Sequence, residues 1–260
     1  MHFAARLAEH NLQWLRDNPY PGRGIVAGVN SDGDRLVIVY FITGRSENSR
    51  NRILREEDGR VFTEAADPSK MKDPSLIIYR AMRDLGGYSI VSNGDQTDTC
   101  LDGLAFAASC AGGMNFVTPD IAFLLRNRIY EPDKPNFTSR ITALCSIGDD
   151  PEIQMSILRK SLLDVGCEQL QYQYGRESLR PGYGYGITTY SDDGDPLPAF
   201  RGDPLILPLH GAQLEIMDRY WGALNEDNRV AIAVKFVGLE TGRSTTSIIN
   251  TRQKVVAEPA

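Results

Sequence analysis

Apolar and polar positions recur with two different periods along the chain, and the changes of period divide it into helices and strands. Residues 2–16 place Phe3, Leu7, Leu12, Trp14 and Leu15 at roughly helical spacing, and the Asn18-Pro19-Tyr20-Pro21 breaker ends the run. This predicts an N-terminal helix. Two strands follow, over about 23–29 and 35–43, and Asp32-Gly33 between them is a strong hairpin signal. The second strand is apolar at every position from Leu36 to Ile42, which calls for cover on both faces.

Residues 73–85 open on Asp73-Pro74 and stop at Gly86-Gly87. An N-cap, a first-turn proline and a glycine terminator predict a helix, with Ile78, Met82 and Leu85 as its apolar stripe. A strand at 88–92 then runs into Ser92-Asn93-Gly94-Asp95 and a helix over about 99–110. Further strands are expected near 140–147, 153–158, 184–190, 204–209, 229–238 and 244–250, with helices near 119–127 and 210–224. Many hairpin-linked strands and few helices make two stacked, mainly antiparallel sheets flanked by helices the economical α+β architecture. The run Gly182-Tyr183-Gly184-Tyr185-Gly186 lacks the strand-to-helix setting of a dinucleotide fingerprint. Its alternation instead marks a strand lying close to another backbone.

Composition narrows the function classes. Hydrophobic residues make up 42% and charged residues 24% of the 260 positions, enough apolar matter for one sizeable core. A net charge of −6 argues against a partner as long and anionic as a nucleic acid, which demands a dense basic surface. Arg6, Glu9, Arg16 and Asp17 interrupt the first helix, so it lacks the apolar heart of a secretory signal, and no apolar run approaches the ~20 residues that span a bilayer. The expectation is a cytoplasmic protein without membrane contact. Cys100, Cys110, Cys145 and Cys167 form no CxxC pair, and the three histidines form no HExxH. Neither a metal nor a cofactor is expected.

Three polar segments interrupt the apolar pattern. In 44–52 three arginines, Arg45, Arg50 and Arg52, stand among hydroxyl and amide side chains, a composition that suits a phosphate cradle and, more readily when the segment is taken alone, a solvated loop with surface ion pairs. Ser92 to Asp98 joins a strand to a helix, where backbone amides and short polar side chains either bind an anion or simply cap the helix. Tyr130 to Arg140 is a proline-stiffened loop ahead of an apolar strand, either a catalytic loop or a long connection.

Taken together, the run Tyr40 to Ser46, Tyr79, the run Val91 to Asp98 and Asn136 to Ile141 resemble, in order and spacing, the archaeal-type IMP cyclohydrolases over roughly residues 22–210. The Ser-Asn-Gly-x-x-Thr-Asp stretch is the most specific part. The resemblance implies a single domain in the four αββα layers of the Ntn hydrolases, used without autoprocessing. It implies dehydrative closure of 5-formamidoimidazole-4-carboxamide ribonucleotide to IMP in purine biosynthesis, and a homo-oligomeric assembly. Relative to that family the chain adds a helix over about 1–18 and a stretch after about 210, and carries Thr138-Ser139-Arg140 where Thr-Pro-Arg is expected. The roles implied are Arg45 and Arg50 on phosphate or oxyanion, Arg52 beside them, Tyr79 as proton relay and Glu131 as general base. Asn93, Asp95, Thr97 and Asp98 hold the nucleotide, and Arg140 pairs with it or with Glu131. Two rival readings are an Ntn-type amidohydrolase, for which Met1-His2-Phe3 offers no nucleophile, and a catalytically inactive purine-nucleotide-binding module.

Overall fold

The computed structural model describes residues 3–71, 74, 77–111, 119–163 and 166–254. Helix α1 (Phe3–Asp17) precedes a hairpin of β1 (Arg23–Val29) and β2 (Arg35–Thr43). A turn of helix, α2 (Glu47–Arg50), leads into β3 (Arg52–Glu57), β4 (Arg60–Ala65), β5 (Arg80–Leu85) and β6 (Tyr88–Ser92). Helices α3 (Gln96–Ala111) and α4 (Ile121–Leu124) follow, then β7 (Arg140–Ser146), β8 (Glu152–Lys160) and β9 (Cys167–Tyr174). The chain continues through β10 (Tyr183–Thr188), β11 (Leu205–Pro208), α5 (Gln213–Ala223), β12 (Arg229–Gly238) and β13 (Ser244–Asn250).

The strands form two antiparallel sheets, in the orders β11-β10-β1-β2-β12-β13 and β3-β4-β5-β6-β7-β8-β9. Strand β2 shows why its sequence is apolar throughout. Leu36, Ile38, Tyr40 and Ile42 enter the layer between the sheets, while Val37, Val39 and Phe41 meet Leu12 and Leu15 of α1 and Ile216 and Tyr220 of α5. On the other sheet, Ile90, Leu144 and Leu158 pack against Cys100 and Leu104 of α3 and Ile121 and Leu124 of α4. The result is four layers, αββα, with the largest core between the sheets. Gly28 and Gly184 face each other across β1 and β10, and a Cβ on Gly28 would stand 2.2 Å from the Tyr183 carbonyl. The close backbone approach read from the glycine–tyrosine alternation is present.

The expected helix over 73–85 is not formed. Residues 80–85 are strand β5, and Gly86-Gly87, both at positive φ, turn the chain into β6 as a hairpin. Glycine pairs end helices and turn hairpins with the same left-handed backbone, so the terminator signal was ambiguous. Asp73 lies outside the described residues, and Pro74 accepts the Ile77 and Ile78 amides in a turn. Strands β3, β4 and β9 had no counterpart in the sequence reading. The first two are joined by Asp58-Gly59, both with φ > 0, and β3 and β9 are edge strands rich in charged and amide residues. The helix expected near 119–127 is the single turn α4, and the stretch after about 210 supplies α5 and places β12 between β2 and β13.

Candidate active site

Strand β1 is buried along all seven residues, yet it opens on an arginine. Charge at the head of a core strand needs a partner, and Arg23 finds Glu131: Nη2 donates to Oε1 at 2.7 Å and to Oε2 at 2.9 Å. Both residues are under 10% exposed. Glu131 sits in the loop before β7 and is fixed there by its own amide, which donates to the Thr138 carbonyl at 2.8 Å. Burial pushes the Glu131 carboxyl above the usual carboxylate range, with the Arg23 charge opposing that rise. Burial also works against the Arg23 charge, but Glu131 and the surrounding phenols more than offset it and keep the guanidinium protonated.

Two phenols complete the network. Tyr40, directed between the sheets by β2, and Tyr79, the residue before β5, share a hydroxyl–hydroxyl hydrogen bond of 2.6 Å in the interior. Burial and then the neighbouring Tyr79 push the Tyr40 phenol well above its ordinary value, against the charges of Arg23 and Arg52. Asn93, at the end of β6, is oriented by three contacts. Its Oδ1 accepts the Ile141 amide at 2.8 Å and Gln96 Nε2 at 2.9 Å, and its Nδ2 donates to the Ser139 carbonyl at 2.9 Å. That same Nδ2 stands 3.5 Å from Glu131 Oε1.

Of the residues singled out in the sequence, Tyr79, Asn93 and Glu131 converge here. Arg52 is 2% exposed, donates Nε to the Ser49 carbonyl at 2.8 Å, and makes no ion pair among the described residues. Its charge reaches Tyr40. Arg23 and Arg52 thus both act electrostatically on the Tyr40 phenol, and Arg23 also pairs with Glu131. Arg140 is near enough to act on Glu131, but its hydrogen bonds go to Asp95 at 2.8 Å and Gln96 at 2.7 Å, so the carboxylate's direct partner is Arg23. Asp95 also binds Arg128 at 2.7 Å, Thr97 shares 2.5 Å with the Ser92 hydroxyl, and Asp98 pairs with Arg80 and Arg83. These contacts anchor the start of α3.

Arg45 and Arg50 do not form a cradle with Arg52. Ser46 caps α2, and Arg50 at its end donates to the Gly44 carbonyl at 2.9 Å and to Asn228 Oδ1 at 3.1 Å. Arg45 leaves in another direction, pairing with Asp193 and lying 4.9 Å above the Tyr20 ring. That pair fastens a strap, residues 191–199. The strap returns to the sheet at the Tyr190–Ala199 bridge and is tied to the 130–140 loop where the Leu197 amide donates to Asn136 Oδ1 at 3.0 Å. Leu197 of the strap is buried against Tyr20 and Tyr190, and the Tyr190 hydroxyl bonds that of Thr138.

Arg23, Tyr40 and Tyr190 were missed as site residues. The available signal for Arg23 was a single guanidinium heading a run of apolar residues. A cavity of about 740 Å³ lies at the opposite end of the sandwich. There Arg35, Arg176 and Arg243 face Asp34, Asp149 and Glu240, all exposed, so no net charge selects an ion. The buried network is the better candidate. No three His, Cys, Asp or Glu residues cluster as metal ligands among the described residues, and no described helix is long and apolar enough to cross a membrane.

Comparison with known proteins gives this geometry a context. A family model described as IMP cyclohydrolase-like protein matches residues 20–241. The IMP cyclohydrolase of Methanopyrus kandleri is 33% identical over 85 residues, covering 33% of this chain and 41% of that protein. The IMP cyclohydrolase of Methanothrix thermoacetophila is 32% identical over 83 residues, 32% of this chain and 40% of its own length. Each alignment therefore spans about two-fifths of the relative it matches. The family match, by contrast, runs from Tyr20 under the strap to Thr241 beyond β12 and takes in every residue of the buried network, and so the chain belongs to the IMP cyclohydrolase-like protein family.

Proposed function

We propose that the protein closes the purine ring of 5-formamidoimidazole-4-carboxamide ribonucleotide to give IMP and water. The observation that carries this reading is the buried Arg23–Glu131 pair set beside the Tyr40–Tyr79 hydroxyls, within a chain of the IMP cyclohydrolase-like family. The two reacting arms already sit on one ring, so holding them coplanar and in contact supplies much of the acceleration. The carboxamide nitrogen bonds to the formyl carbon and its proton passes to Glu131, a carboxylate made more basic by burial. The formyl oxygen takes up negative charge near Arg23 and Arg52 and receives a proton from the phenol pair, with Tyr79 as the relay. Loss of that hydroxyl as water, with the remaining N–H proton, forms the ring C=N bond. Asn93 holds the heterocycle, and Asp95, Thr97, Asp98 and Arg140 act by fixing the loop that carries it.

Incubating the protein with the formylated nucleotide and following purine absorbance tests the reading. Tyr79→Phe and Glu131→Gln should each slow closure by on the order of 10²-fold. Undiminished turnover in both variants removes the proton roles, and a wild-type protein that binds IMP but produces none leaves an inactive nucleotide-binding module.

A further inference from the structure

Two side-chain atoms within the Glu131 network have no partner among the described residues. Arg23 Nε and Ser139 Oγ are both shut off from solvent and neither has a hydrogen-bond partner among those residues. Ser139 is fully buried, and its carbonyl holds the Asn93 amide that also approaches Glu131. Thr138, immediately before it, takes the Glu131 N–H on its own carbonyl. The orphaned hydroxyls of Thr142 and Ser156 belong to a different place, for they stand opposite each other on β7 and β8, in register with Ser92 of β6. A buried polar atom left unpaired destabilises a fold by more than a formed hydrogen bond gains it. Two of them, one on the ion pair itself and one on a residue tied to Glu131 through Asn93, therefore mark where a further group is received.

Their chemistry narrows what that group is. A guanidinium Nε–H only donates, whereas a serine hydroxyl donates or accepts. A ligand atom that engages both must accept from Nε–H, which rules out an amide N–H, and a carbonyl oxygen gaining negative charge accepts from the serine hydroxyl as well. We infer that Ser139 is a substrate-contacting residue, its hydroxyl and Arg23 Nε together receiving the oxygen that becomes the oxyanion during ring closure. This rests on the ring-closure reading and adds to it a residue whose side chain the family resemblance gives no role.

The test is Ser139→Ala, measured for turnover and for melting. Removing a hydroxyl that the ligand-free protein leaves unpaired should keep the melting temperature at or above wild type. It should lower kcat/KM for the formylated nucleotide by on the order of tenfold, mainly through kcat, because the bond strengthens as charge develops. Ser139→Cys, close in volume and a weak donor, should fall between the two. If Ser139→Ala instead melts lower and turns over at the wild-type rate, the hydroxyl serves only a structural water and the inference is overturned. A wild-type protein that neither converts the nucleotide nor melts higher with IMP overturns the ring-closure reading, and this inference with it.

Discussion

Burial and an ion pair pull Glu131 in opposite directions, and the outcome can be read in a pH profile. Desolvation raises the carboxyl, Arg23 restrains the rise, and the net shift is upward. A base acts only when ionised, so the acid limb of kcat/KM should lie above the ordinary glutamate value of about 4.3, with activity lost as pH falls through it. Glu131→Gln should abolish the limb. A limb at or below that value would show that another group titrates. The stability sign is the reverse: the folded state binds this proton more tightly than the unfolded chain, so ionisation costs stability as pH rises through the folded value. At this scale Asn93 and Glu131 could be singled out from polar segments of the sequence, and Tyr79 only through the family resemblance, since it lies in a stretch read as helix. Arg23 could not, since one cation at the head of a strand resembles any strand terminus until its partner, 108 positions away, is seen.

Elements explain how the arginine-rich segment is laid out. Local composition matched a phosphate cradle, but capping by Ser46 winds 47–50 into a turn that sends the three guanidiniums to three destinations. The central hairpin β1–β2 and strands β6, β7 and β12 were readable, since unbroken apolar runs flanked by turn residues have few alternatives. Edge strands carry charge to discourage further pairing, which also erases their pattern. The strap over 191–199 makes its own prediction. The Arg45–Asp193 pair is solvent-exposed and so worth about 0.2–1 kcal/mol. Arg45→Ala should therefore raise amide exchange in 191–199 by up to roughly fivefold, as should high salt, without moving the melting temperature appreciably. Exchange that is unchanged would show that Leu197 and Asn136 hold the strap alone.

The whole molecule is two sheets joined through a mostly apolar layer that an ion pair crosses at each end. Arg23 and Glu131 meet at one. At the other, Lys235 on β12, fully buried, crosses to Asp84 on β5 and donates to the Gly59 carbonyl at 2.8 Å. Lysine among the apolar residues of β12 gave no hint of this in the sequence, because the Asp84 that receives it belongs to a segment read there as helix. Lys235→Ala leaves a cavity and an unpaired Asp84, but that carboxylate is 39% exposed and can turn to water. A loss of about 1–3 kcal/mol is expected in denaturant unfolding, and a smaller one for Lys235→Met, which keeps the volume. Equal losses in both would mean that charge, not packing, dominates at that end.

The facing glycines of β1 and β10 have a bearing on how such a protein can change. With no side chain between them, the two strands touch main chain to main chain and shift only as a unit, so Arg23 at the head of one and Tyr190 just past the other keep a constant separation. A single methyl at Gly28, five residues or roughly 17 Å from Arg23, would therefore be felt at the guanidinium.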